Sequence, residues 1–169
     1  MRTRKLTTMA LLAAIALTIF MIEAQIPPLI PIPGIKLGMS NIVTVYAVYA
    51  LGPGAAVAVL FVRIFLGAVF SGNFGTILYS AAGGALAIAV TIGLRRILRG
   101  NQLWISGCLS AIAHSVGQML VAVWATGTPS VLIYLPVLIL CSMVAGIFTG
   151  LCAQVLVKRG KDLWKTIFK

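Results

Sequence analysis

The chain has 169 residues, of which 61% are hydrophobic and 9% charged, and its mean hydropathy is +1.12. That composition leaves too little polar surface to cover a water-soluble globule, and the length suits about six membrane helices in one domain, 1–169. The formal net charge of +11 sits beside apolar stretches, which fits the flanks of membrane spans and argues against nucleic-acid binding.

Of the 13 Lys and Arg residues, all but Lys36 and Arg63 fall in three clusters. Arg2, Arg4 and Lys5 precede the first apolar run, which predicts a helix over 6–23. The start resembles a signal peptide, but Glu23-Ala24-Gln25-Ile26-Pro27 is a poor cleavage site and the rest of the chain is equally apolar, so an uncleaved helix is expected. Pro27, Pro28, Pro31 and Pro33 then forbid regular helix. The next helices are expected over 39–51 and 55–70, separated by Gly52-Pro53-Gly54. Ser71 to Gly75 leads into a helix over 76–94, and the second cluster, Arg95, Arg96 and Arg99, ends it. Helices over 103–125 and 131–157 follow, joined by Thr126 to Ser130. The third cluster, Lys158, Arg159, Lys161, Lys165 and Lys169, lies in a basic tail, 158–169. No internal repeat is evident.

Six crossings from a cytoplasmic start put all three clusters on the inner side and both termini inside, as the positive-inside rule requires. The Pro-rich segment with Lys36 and the loops at 71–75 and 126–130 then face outward.

Ionisable residues in hydrocarbon are costly and face a protein interior or a cavity. Glu23 ends the first helix and Arg63 sits in the middle of the third. One reading is a structural Glu23–Arg63 ion pair. In the other, Arg63 with Lys36 attracts an anionic group of a substrate. His114 and Gln118 are four apart in the fifth helix and therefore share a face, as a pocket wall or as buried interhelical hydrogen-bonding groups. Asn41, Asn73, Tyr79, Ser80 and Tyr134 lie toward the outer halves of their helices and are further candidates to touch a ligand. Cys108, Cys141 and Cys152 are isolated in apolar surroundings, so neither a disulfide nor a metal site is expected, and no cofactor motif is present. Ala10 and Ala14 form a small-residue patch able to receive a partner helix.

Pro31-Ile-Pro-Gly-Ile-Lys-Leu-Gly38 with Asn41, Arg63-Ile-Phe-Leu-Gly67, Tyr79-Ser-Ala-Ala-Gly-Gly84 and Ala113-His-Ser-Val-Gly-Gln118 together resemble the bacterial Gx transporter family, also called heptaprenyl diphosphate synthase component I. That family is in turn similar to the substrate-binding S components of energy-coupling factor (ECF) transporters. The resemblance implies an all-α, six-transmembrane-helix bundle in the bacterial cytoplasmic membrane. It also implies a pocket near the outer face closed by residues 25–38, and a small-residue patch, here Ala10 and Ala14, for a transmembrane coupling subunit. The expected function is capture of a small molecule for an importer whose ATPases are separate chains, since this chain has no P-loop. The alternative is a non-catalytic membrane scaffold for isoprenoid or quinone synthesis or membrane redox chemistry. Prenyl diphosphate synthases hold Mg²⁺ through paired Asp-rich motifs. The only acidic residues here are Glu23 and Asp162, so no enzyme of that kind is expected.

Overall fold

A computed structural model describes residues 2–26, 38–98 and 101–167, so Lys36 and most of the Pro-rich segment lie outside the described residues. Among the described residues six α-helices run in chain order: α1 (Arg2–Gln25), α2 (Asn41–Ala50), α3 (Pro53–Ser71), α4 (Gly75–Arg95), α5 (Leu103–Thr126) and α6 (Leu135–Ile167), with a 3-10 turn at Pro129–Tyr134. Apart from α2 these helices are long and apolar enough to cross a bilayer.

Helix boundaries differ from expectation where local chemistry is decisive. Pro53 opens α3, because a proline in the first turn gives up an N–H that has no helical partner. Residues 131–134, expected in the last helix, belong to the 3-10 turn, and α6 begins only at Leu135. At its other end α6 continues through the segment expected as a separate basic tail. The bounds of α2, Asn41–Ala50, lie close to the expected 39–51, and the helix is short for a bilayer. Its ten residues rise about 15 Å, half the thickness of the hydrocarbon core.

This short helix is the hub. It touches every other α-helix, whereas α1 contacts only α3 and α2 among the described residues. In the bundle's main core, Leu12, Ala13 and Ala16 of α1 pack with Ala56, Val59 and Leu60 of α3 and with Val43, Ala47 and Val48 of α2. Phe20 lies on Gly67, so α1 and α3 run parallel. A second seam joins α5 to α6 backbone to backbone. A methyl group on Gly107 would meet the carbonyl of Gly146 and lie 2.5 Å from Gly150 Cα. In lipid, helices associate through such close van der Waals contact, because lipid tails are as apolar as the side chains.

Three contacts align the helix ends. The Gly52 turn abuts the Arg95 guanidinium, and Gly160 lies beside the Tyr46 hydroxyl. The Leu103 N–H donates to Gln154 Oε1 at 3.2 Å. With α1 parallel to α3, the exposed Arg4, Lys5, Arg95, Arg96, Lys158 and Arg159 all gather at one end of the bundle. The turns at 71–75 and 126–130 lie at the other.

Candidate functional site

Away from the basic end, α1, α3, α4, α5 and the start of α2 enclose a polar cleft. It is lined by Phe20, Glu23, Gly38, Ser40, Arg63, Ser80, His114 and Gln118. Arg63 is ten residues into α3 and His114 is at the middle of α5, so the cleft lies at mid-depth.

The cleft is assembled around the chain just ahead of α2. The Gly38 carbonyl accepts the Asn41 N–H at 2.8 Å, and the Met39 and Ser40 carbonyls each accept from three residues on at 3.2 Å. A tight turn therefore leads directly into α2. The N–H groups ahead of it have no helical carbonyl to reach, and Glu23 supplies the acceptors. Its Oε1 accepts the Gly38 N–H at 2.6 Å and its Oε2 the Met39 N–H at 3.1 Å. A carboxylate suits this position, where N–H dipoles converge. It also fastens the C-terminal end of α1 to the central helix.

Gly38 has φ +75°, and a methyl group there would lie 3.0 Å from His114 Cδ2. Glycine meets both demands, the left-handed backbone and the close approach. The Nδ1–Cε1 edge of the imidazole lies against Gly83 of α4, where an added methyl would be 2.9 Å from both atoms, and the ring hydrogen-bonds to the Gly83 main chain. His114 is thus clamped between two glycines, and its ring orientation is fixed.

Arg63 is 4% exposed and Glu23 6%. The two attract each other electrostatically. The guanidinium carbon stands 5.3 Å from the centroid of the Phe20 ring, a cation–π arrangement that partly offsets the cost of burying the charge. Phe20 itself is seated on Gly67. The arrangement is a buried site with one positive and one negative group, two neutral polar side chains on α5, and an aromatic wall.

Of the residues anticipated from sequence, Arg63, Ser80, His114 and Gln118 line the cleft together with Glu23. Asn41 is buried just below it and donates to Ser110 Oγ at 2.8 Å, joining α2 to α5. Tyr79 packs instead against the cluster of Met119, Ala122 and Leu138. Asn73 is exposed in the α3–α4 turn, where its carbonyl accepts from the Thr76 hydroxyl at 2.7 Å. Phe20 and Ser40 were not anticipated as lining residues. An apolar ring in an apolar helix carries no signal of its own. Ser40 could be found only by placing the turn that precedes α2. Ala10 and Ala14 are both exposed on α1. Among the described residues no group of His, Cys, Asp and Glu is placed to hold a metal ion.

An apolar helical bundle with a charged cleft at mid-depth is a polytopic membrane protein. The model of the heptaprenyl diphosphate synthase component I family matches residues 12–156. The chain belongs to that family, and the resemblance noted in its motifs is borne out. No curated protein and no solved structure matches it.

Proposed function

We propose that the protein is a substrate-capturing membrane subunit of the S-component type, which takes a small polar molecule into the Glu23, Arg63, His114 and Gln118 cleft from the outer side of the bacterial cytoplasmic membrane. The basic end of the bundle faces the cytoplasm, which leaves the cleft half of the molecule outward. The observation that carries the reading is Arg63, a guanidinium buried at mid-depth and facing a cleft rather than the bundle's basic end. Such a residue is costly in hydrocarbon, and where it lines a cavity it marks a substrate pathway. The space left between these side chains is about that of one water molecule, so the cleft must open to admit a ligand. Transport then requires a coupling subunit and ATPases in separate chains, and α1, with Ala10 and Ala14 exposed, offers them a surface.

The test is native mass spectrometry of the full chain in nanodiscs after exposure to cell extract. Wild-type protein is expected to carry a small molecule that the His114→Ala and Gln118→Ala proteins lose. Bare protein, or mass retained in both variants, would count against capture at this cleft.

A second reading follows from the family's description as a component of heptaprenyl diphosphate synthase. In it the bundle is a non-catalytic membrane partner of a prenyl-transferring enzyme. Copurification with such an enzyme, and no bound small molecule, would favour it.

A further inference from the structure

The cleft contains hydrogen-bonding groups of two kinds, and they are arranged differently. Glu23 is held. Each of its oxygens accepts one backbone N–H, from Gly38 and from Met39, and each retains a lone pair that can accept from a further donor. The donors on the opposite side of the balance are not held. Arg63 is 4% exposed, and its guanidinium carbon stands over the face of Phe20 at 5.3 Å. Among the described residues its N–H groups meet no hydrogen-bond acceptor. Ser80, from α4, is 8% exposed and lines the same cleft, and its hydroxyl likewise has no hydrogen-bond partner among the described residues.

Buried polar side chains are almost always hydrogen-bonded, and a guanidinium carries five donors in a planar fork that matches a carboxylate. The charge balance restricts the ligand further. Among the described residues the formal charges lining the cleft are those of Glu23 and Arg63, which cancel. A ligand with a single negative or positive charge would leave an unbalanced charge at mid-depth in hydrocarbon, which is strongly disfavoured. A ligand carrying both charges leaves the site neutral and satisfies both halves.

We propose that the site binds a small zwitterion, its carboxylate on Arg63 with Ser80 as a further donor, and its ammonium group on the carboxylate of Glu23. The inference rests on the capture reading and narrows it to a chemical class. The two backbone N–H bonds aim Glu23 before the ligand arrives, so little ordering remains to be done on binding. The Phe20 ring and the His114 ring, fixed between Gly38 and Gly83, form the walls.

The experiment uses the full chain in nanodiscs and three compounds that share one side chain: leucine, 4-methylpentanoate, which lacks the ammonium group, and 3-methylbutylamine, which lacks the carboxylate. Binding is read from the shift in thermal unfolding midpoint over a concentration series. Leucine is expected to act at concentrations at least tenfold lower than either analogue. Glu23→Gln should bring leucine and 4-methylpentanoate to the same concentration range. Arg63→Gln should do the same for leucine and 3-methylbutylamine. Ser80→Ala, a small change that leaves the fold's charges intact, should weaken leucine severalfold and leave 3-methylbutylamine unchanged, so it serves if the other variants fail to fold. Wild-type protein that responds to none of the three compounds, or to all alike, overturns the inference, as does a leucine preference unchanged in Ser80→Ala. Capture from extract of a molecule without paired charges overturns this inference and leaves the capture reading standing. Bare protein in both experiments removes both.

Discussion

At the scale of single residues, Glu23 has a structural duty that a simple ion pair would not give it. If its role were only to neutralise Arg63, exchanging the two charges should restore a stable fold. The geometry says otherwise, because Glu23 accepts the N–H groups of Gly38 and Met39 and an arginine side chain has no acceptor to offer them. Each buried N–H left unsatisfied costs about 1–3 kcal/mol. We therefore expect Glu23→Arg with Arg63→Glu to remain several kcal/mol less stable than wild type, and Glu23→Gln, which retains one side-chain carbonyl, to lose the least. Thermal unfolding in nanodiscs measures this, and full recovery by the exchanged pair would refute the assignment. What could be read in the sequence at this scale was set by cost. Glu23, Arg63, His114 and Gln118 stand out because polar side chains in hydrocarbon need a reason. The glycines that clamp His114, and the Phe20 ring under Arg63, are ordinary residues for a membrane helix, and they acquire a role only through packing across the chain.

At the scale of elements, α5 carries two stripes with different tasks. Ser106, Ser110, His114 and Gln118 recur every four residues, and all are buried. Beside them run Gly107 and Ala111, which press on α6 at Gly146 and Gly150. The i, i+4 spacing of both stripes is visible in the sequence. Which neighbour each stripe meets is not, because small residues suit several partners equally. The same ambiguity affects α2. Its apolar residues predict a helix over 39–51, already short for a bilayer, and the helix is ten residues long. The residues before it are drawn into the tight turn that meets Glu23 and His114. Of the helix pairs, α5 with α6 is the most sensitive to an added methyl group. Gly107→Ala places a Cβ against backbone atoms of α6 that cannot swing aside, and such overpacking costs about 1–3 kcal/mol or more. Gly93→Ala, exposed in α4 with nothing within 4 Å of the added carbon, should be neutral or stabilising by up to about 1 kcal/mol, since alanine is the better helix former. A pair of melting curves separates the two outcomes, and equal effects would mean that the α5–α6 contact is looser than described.

For the whole molecule, the charge clusters foretell a common end for the N-terminus, the α4–α5 turn and the last helix, and the contacts of Gly52, Leu103 and Gly160 unite those ends. Which side of the membrane that end occupies is testable with one exposed asparagine from each end. With the three native cysteines replaced, Asn73→Cys should react with a membrane-impermeant maleimide added to intact cells, and Asn101→Cys only after permeabilisation. The reverse pattern would invert the proposed entry route. The arrangement also singles out α1. It packs on α3 and α2 alone among the described residues, and Glu23 ties its C-terminal end to the turn that forms the cleft wall. Toward the basic end, Ala10 and Ala14 are exposed, so larger side chains there meet lipid and not a helix of this chain. Ala10→Leu with Ala14→Leu should therefore leave the melting temperature within a few degrees of wild type, since surface changes away from packed features fall within about 0.5 kcal/mol. If α1 is the surface on which a coupling subunit docks, the same double variant should lose copurification of that subunit while still capturing ligand. Loss of stability would show that α1 packs elsewhere than described, and undiminished association would move the docking surface to another helix.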